Sequence, residues 1–146
     1  MPGHDIGGRL TEEGHSLPVR VYYEDTDFSG SVYHGAYVRF LERGRSDFLR
    51  RIGISHGDLA KDGLHFAVSE MNLSFFRAAR IDDVVEVATG IAEVRGARVI
   101  LDQAVLRGGE RLVEARVIVA LIDRQGRPKR FPDKVREPLS AHSVSS

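Results

Sequence analysis

The sequence predicts an α+β domain in which a curled antiparallel sheet of about five strands wraps one long helix. Three observations lead there. One stretch, from about His34 to Gly53, repeats apolar residues at three- and four-residue steps. Most of the chain after it alternates in the two-residue period of strands. The connections between those strands are short, which joins neighbours antiparallel. A single helix and a single sheet then bury their apolar faces on each other.

The elements follow in order. Val19-Arg20-Val21-Tyr22-Tyr23 alternates and is β-rich, so it reads as a strand, and Asp25 to Ser31 as a turn. Tyr37, Phe40, Leu41, Gly44, Phe48 and Ile52 then form the helical stripe, with Gly53 as its stop. The helix has about 18 residues, or ~27 Å. A short helical turn follows near Ser55 to Lys61. His65–Phe76, Asp82–Val94, Val99–Leu106 and Leu112–Ile122 read as strands, and Pro128 to Pro138 as a basic segment broken by prolines. Several strands are apolar on both faces. This predicts that the outer face is covered as well, by a second copy of the chain.

Length and composition bound the rest. With 146 residues the chain forms one domain, expected over 18–139. Residues 1–17 are Gly/His/Glu-rich without an apolar signal core and read as a flexible leader, with room for a short pairing role. Residues 140–146 read as a flexible tail. Twenty-one basic residues balance 21 acidic ones, which argues against a broad nucleic-acid surface. The chain has no cysteine, which removes disulfides, thiolate metal sites and a Cys nucleophile, and fits a cytoplasmic protein. No apolar run approaches the ~20 residues of a membrane-spanning helix.

The chemistry concentrates between Tyr22 and Gly35. Glu24, Asp25 and Asp27 lie in a turn that runs into the start of the helix, where backbone N–H groups are free and the helix dipole is positive. Mutual repulsion allows only one of the three carboxylates to point into a common buried site. Spacing leaves two readings open for Asp27: a turn-capping Asp, or a carboxylate presented to a substrate. His34 has two readings as well, a partly exposed helix-start His or a proton donor. The six His residues show no HxH or HExxH spacing, so no catalytic metal is expected. GxSxG, GxxxxGK[ST] and post-strand GxGxxG motifs are absent from the sequence. Arg77, Arg80, Arg95, Arg98, Lys129 and Arg130 flank strand ends. They read either as solvated charge or as contacts for the phosphates of a nucleotide-bearing substrate.

Tyr-Tyr-Glu-Asp-Thr-Asp-x-x-Gly-x-Val-Tyr-His, Tyr22 to His34, resembles the signature of the hotdog-fold acyl-CoA thioesterases. The resemblance is strongest to the YbgC branch of the 4-hydroxybenzoyl-CoA thioesterase family. It continues through Tyr37 to Arg45, Met71 to Asp83 and Arg130-Phe131-Pro132, and covers most of Pro18 to Leu139. It implies a hotdog fold that dimerises and often pairs again into tetramers. It implies hydrolysis of an acyl-CoA thioester, with no cofactor beyond the CoA of the substrate. The catalytic aspartate of that family falls on Asp27 and its histidine on His34. Backbone N–H groups of His34, Gly35 and Ala36 would polarise the thioester oxygen. Substrate contacts are expected from Tyr23, Phe28, Gly30, Val32 and Tyr33, joined by Arg77, Arg80, Arg98 and Arg130. Phe28 is bulkier than the residue often found at its position, which bears on the acyl pocket. Two further readings stand beside this one: action on acyl groups held by acyl carrier protein, and a non-enzymatic ligand-binding scaffold tied to the cell envelope.

Overall fold

The computed structural model describes residues 7–144. Its organising element is the helix α1, His34–Arg51, laid across a six-stranded antiparallel sheet. The strands are β1 (Arg9–Thr11), β2 (Gly14–Arg20), β3 (His65–Phe75), β4 (Val84–Val94), β5 (Arg98–Arg107) and β6 (Glu110–Ile122). Two shorter helices, α2 (His56–Lys61) and α3 (Asp133–Ala141), complete the chain. The spatial order is β1-β2-β4-β5-β6-β3. The segment that leaves β2 therefore passes through α1 and returns on the far edge of the sheet as β3. This is the wrapped α+β arrangement expected from the sequence, with six strands in place of about five.

The apolar stripe of α1 is its buried face: Tyr37, Phe40, Leu41 and Phe48 are each at most 2% exposed. They meet the inward residues of the strands, among them Val85, Val87, Leu101, Val105 and Val117, in one continuous core. Gly44 sets how close the helix comes. A Cβ at that position would lie 2.6 Å from Val87 Cγ1, inside any tolerable contact. The outward positions of the central strands are mixed, with small Ala88 and Gly90 beside the Asp102–Arg116 ion pair. That face is less apolar than the sequence suggested.

Three sequence expectations need correction. The first strand is earlier and longer than Val19–Tyr23: it runs Gly14–Arg20 and pairs with β4 from His15↔Thr89 to Arg20↔Val84. Tyr22 and Tyr23 leave the sheet because Asp25 folds the chain into a 3-10 turn, Tyr23–Asp25, its carboxylate accepting the Tyr22 N–H at 2.9 Å. The expected flexible leader 1–17 is, from Arg9 onward, a β-hairpin. Its anchor is a buried polar cluster. Asp47 of α1 accepts from Gly8 N and His15 Nε2, both at 2.7 Å, and His15 stacks on Phe48. Residues 1–6 of that leader lie outside the described residues.

The third correction is at the other end. The segment expected to be broken by prolines becomes α3 from Asp133 onward, because Phe131, Val135 and Leu139 all find places in the core. Pro138 is accommodated inside this helix. The expected flexible tail is ordered as far as Val144, whose N–H donates to Ile91 O at 3.1 Å. Residues 145–146 lie outside the described residues.

Candidate active site

Local hydrogen bonding builds the loop between the 3-10 turn and α1. Thr26 and Val32 face each other in a small antiparallel bridge, and Asp27 N donates to Ser31 O at 2.9 Å. Gly30 closes the tip: its φ of 85° is a left-handed value that Gly adopts without strain. The loop is stitched to the connection between β3 and β4. Val32 N donates to Ala79 O at 2.9 Å, and Ile81 N to Gly30 O at 3.1 Å. Arg80 adds two side-chain bonds, from Nη2 to Ser29 O at 3.0 Å and from Nη1 to Ser31 Oγ at 3.1 Å.

The three acids separate into different roles. Asp25 is buried; its carboxylate accepts from Tyr22 N and from Arg39 Nη2, the latter at 2.9 Å. Arg39 also donates to Tyr33 Oη at 2.8 Å and lies over the Tyr33 ring. That set braces the entry to α1 and gives the buried Asp25 a structural role. Glu24 is exposed on the turn. Asp27 is exposed at the loop, where Oδ1 accepts the Ser29 hydroxyl at 2.5 Å and the Ser29 N–H at 2.8 Å. These bonds, the hydroxyl first, hold the Asp27 carboxyl below the usual carboxylate range, and the Arg80 charge acts in the same direction. Asp27 is thus an ionised carboxylate on a rigid, accessible loop.

The helix start supplies donors. Tyr33 occupies the N-cap position without a side-chain bond to the helix. Ala36 N donates to Tyr33 O at 3.0 Å, so the expected set of three backbone donors narrows to two. His34 N and Gly35 N have no acceptor among the described residues. Gly35 leaves room for the Tyr33 ring, since a Cβ there would press on it at 3.1 Å. The His34 ring rests on Phe75 of β3, ring centres 4.4 Å apart. Behind it Tyr37 Oη accepts the Ala79 N–H at 2.8 Å, tying α1 to the same β3–β4 connection.

The other predicted contacts divide by position. Tyr23, Phe28 and Tyr33 are exposed, with Phe28 next to Asp27 in the loop. Arg80 lies in the loop contact, and Arg77 pairs with Glu110 at 2.9 Å near the same end of the sheet. Val32 is corrected: its side chain is in the core, 5% exposed, because its strand-like position faces α1. Arg98 opens β5, whereas Arg107, beside Asp83, closes it. Nine steps of ~3.3 Å put about 30 Å between them. Arg98 is therefore at the opposite end of the sheet from Asp27. So is Arg130, whose guanidinium lies against Gly96 in the β4–β5 turn. Sequence reasoning missed Ser29 as the partner of Asp27, Arg39 as the partner of Asp25, and Phe75 as the seat of His34. A Ser two residues after an Asp is a recognisable turn signal for the first. The other two depend on contacts between elements.

A wrapped helix, an ionised Asp on the loop before it and free amides at its start define the class. Residues 21–139 match the Thioesterase-like superfamily, and the chain belongs to it. Within that superfamily it is similar to the YbgC acyl-CoA thioesterases. It is 38% identical over 129 residues to the Acyl-CoA thioesterase YbgC of Haemophilus influenzae, covering 87% of this chain and 95% of that one. The crystal structure titled "Probable Thioesterase" from Bartonella henselae superposes with a TM-score of 0.77 at 45% identity, over 81% of this chain and 98% of that one. A more distant relative is the chloroplastic acyl-acyl carrier protein thioesterase ATL3 of Arabidopsis thaliana. It is 30% identical over 132 residues, 89% of this chain and 70% of that one. The fold is the hotdog fold of these thioesterases.

Proposed function

We propose that this chain hydrolyses acyl-CoA thioesters to a free acid and CoA, with Asp27 as the reacting carboxylate. The observation that carries this reading is Asp27 itself. It is accessible, held ionised by Ser29, and fixed on a loop that leads into a helix start with two free N–H groups. A thioester carbonyl is electrophilic and its thiolate leaves readily, so a carboxylate suffices. Asp27 either attacks the carbonyl carbon, expelling CoA thiolate and leaving an anhydride that water cleaves, or takes a proton from the attacking water. In both routes water supplies OH to the acyl group and H to the sulfur. His34 N and Gly35 N are the donors for the developing oxyanion, and the His34 ring orients the thioester or protonates the departing sulfur. Neither a metal nor a cofactor enters this scheme.

The test is CoA release from a panel of acyl-CoAs of varied chain length and aromatic character, with Asp27→Asn beside the wild type. A general-base or nucleophile role predicts a loss in kcat of roughly 10²–10⁴. Equal rates from the two proteins would remove Asp27 from the chemistry. Hydrolysis of none of the thioesters, with ligand binding intact, would favour a binding scaffold instead.

A second reading takes the acyl group from acyl carrier protein. It is favoured by the name of the Arabidopsis relative and by the exposed Arg77 and Arg80 at the Asp27 end of the sheet. Arg77→Glu, which leaves Arg80 in place to hold the Asp27 loop, should then slow hydrolysis of carrier-bound acyl groups more than hydrolysis of acyl-CoA. In the same proposal the working unit is a homodimer that pairs into tetramers in the cytoplasm. The eleven-residue edge strand β3, with Val68, Phe75 and Phe76 exposed, supports a second copy along that edge.

A further inference from the structure

The loop that carries Asp27 fixes one of its carboxylate oxygens and leaves the other open. Oδ1 accepts the Ser29 hydroxyl at 2.5 Å, the Ser29 N–H at 2.8 Å and the Ser31 N–H at 3.4 Å. Oδ2 has no partner among the described residues. Ser29 is held in turn. Its carbonyl accepts Arg80 Nη2 at 3.0 Å, and no other donor reaches it among the described residues. Arg80 Nη1 adds a bond to Ser31 Oγ at 3.1 Å. The backbone bonds of Val32 N and Ile81 N hold the returning limb of the loop, whereas the Ser29 carbonyl is held by the Arg80 side chain. A Cβ at Gly30 would lie 3.3 Å from Arg80 Nη2, so the guanidinium also fills the space beside the loop tip.

Arg80 is itself anchored from the far side. Its N–H donates to Asp83 Oδ2 at 2.8 Å, and the same oxygen accepts Arg107 Nη1 at 2.9 Å. These bonds, the one from Arg80 first, hold the Asp83 carboxyl below the usual carboxylate range, so its pair with Arg107 is ionised. Between Arg80 and Asp83 the chain turns through Asp82, whose φ of 69° is a left-handed value uncommon outside glycine. Two bonds to Val21 keep it there: Asp82 N donates to Val21 O at 2.9 Å, and Val21 N to Asp83 O at 2.8 Å. A backbone conformation of this kind persists where its surroundings enforce it. The other charges near the loop are engaged elsewhere, Asp25 with Arg39 and Asp83 with Arg107, while Glu24 is exposed on its turn and the His34 ring rests on Phe75. Arg80 is the cation that acts on Asp27.

We propose that Arg80 is a positioning residue for Asp27, acting through Ser29 and held by Asp83 and Arg107, and that Asp27 Oδ2 is the oxygen that reacts. This deepens the hydrolysis reading and rests on it, and it takes Arg80 out of the expected phosphate contacts. The guanidinium acts on the loop, not on the thioester. It keeps Ser29 where its hydroxyl and N–H occupy Oδ1, and Oδ2 is left to meet the carbonyl carbon or the attacking water. The geometry of such an approach is demanding, since a displacement of ~1 Å can cost about 10²-fold in rate.

The experiment compares full-length wild type with Arg80→Met, Arg80→Gln, Arg80→Lys, Asp83→Asn and Asp27→Asn. The substrates are the acyl-CoA that wild type turns over fastest and the same acyl group on pantetheine, which carries no phosphate. The Asp27 carboxyl is also titrated directly by NMR. The expected result for Arg80→Met is a kcat lower by about tenfold or more with both substrates, and a nearly unchanged KM. The acid limb of kcat/KM and the Asp27 titration move upward together, and Arg80→Lys restores both in part. Asp83→Asn gives the same pattern more weakly. A KM that rises for acyl-CoA alone, with acyl-pantetheine unaffected, would make Arg80 a phosphate contact and overturn the proposal. A lower kcat with an unmoved acid limb and no rescue by lysine would reduce Arg80 to a general structural role and overturn it too. Should Arg80→Met fail to fold, Arg80→Gln, which keeps donors and loses the charge, and Asp83→Asn still decide. Equal rates for Asp27→Asn and wild type would overturn the reacting role of Asp27, and that of Oδ2 with it. An Asp27 titration that Arg80→Met leaves unmoved would overturn the positioning itself, so the two failures are told apart.

Discussion

Removing the carboxylate of Asp47 should loosen the N-terminal hairpin from the central helix. Asp47 Oδ2 accepts two buried donors, Gly8 N and His15 Nε2, both at 2.7 Å, and its side chain is only 7% exposed. Hydrogen bonds to a charged group contribute about 1.5–3 kcal/mol each, and a buried donor left without an acceptor costs ~1–3 kcal/mol. Arg50, which meets Oδ1 at 3.0 Å, is mostly exposed and adds little. Asp47→Ala orphans both buried donors and should cost about 3–5 kcal/mol. For a domain of this size that is roughly a 10 °C fall in Tm. Asp47→Asn keeps an oxygen at the Oδ2 position but replaces two charge-assisted bonds with neutral ones, a loss of about 1–3 kcal/mol. Scanning calorimetry gives the order wild type, Asn, Ala. Amide exchange adds a local signature, with Gly8 losing protection in the Ala variant before the strands β4 to β6 do. An Ala variant melting within 2 °C of wild type would refute the reasoning, because it would mean that the hairpin does not depend on this cluster.

Further predictions concern pH and the loop. Ser29 is the main reason that the Asp27 carboxyl titrates low, so the acid limb of kcat/KM due to Asp27 should fall below about pH 4. Ser29→Ala should move that limb upward, and an unmoved pH profile would separate Ser29 from Asp27. Burial lowers the His15 pKa despite its bond to Asp47, so the unfolded chain takes up a proton that the folded one refuses. Stability should therefore fall as pH drops below about 6.5. Urea midpoints at pH 7.5 and 5.5 should show this for wild type, and His15→Gln, which has nothing to titrate, should flatten the difference. Tyr37→Phe leaves the buried Ala79 N–H without its acceptor and should cost about 1–3 kcal/mol in denaturant unfolding. It should also lower kcat by loosening the connection that holds the Asp27 loop.

The helix was the most legible part of the chain. The spacing from Tyr37 to Ile52 encodes one buried face, and α1 occupies the expected stretch, His34–Arg51. The later strands were legible for the same reason, since alternation survives in each of them. The first strand was not, because its decisive contacts are long-range. His15 and Ser16 look like loop residues until Asp47 and Glu86 receive their side chains. The segment Asp133–Ala141 shows the opposite failure: prolines suggested a break, and burial of Val135 and Leu139 outweighed them. At the site, spacing could not divide labour among Glu24, Asp25 and Asp27. The division comes from Arg39, fourteen residues beyond Asp25, and from Arg80, fifty-one beyond Ser29. Arg98 and Arg130 lie far from Asp27 of the same chain, because a position at a strand end does not reveal which end of the sheet it occupies.

The strand order also sets how this chain must fold. β4, β5 and β6 form as consecutive hairpins whose contacts cost little loop entropy, and β3 joins them by pairing with β6, His65 opposite Ile122. β2 is different: Ser16 meets Glu86 across seventy residues, with the whole of α1 and β3 in between. Its pairing with β4 closes the sheet over the helix and cannot precede the arrival of both. Such non-local pairing places the chain among the slower two-state folders, in the millisecond-to-second range. The last contact to form on that route is the one that holds the beginning of the chain, and substitutions at the β2–β4 seam should accelerate unfolding more than they retard folding.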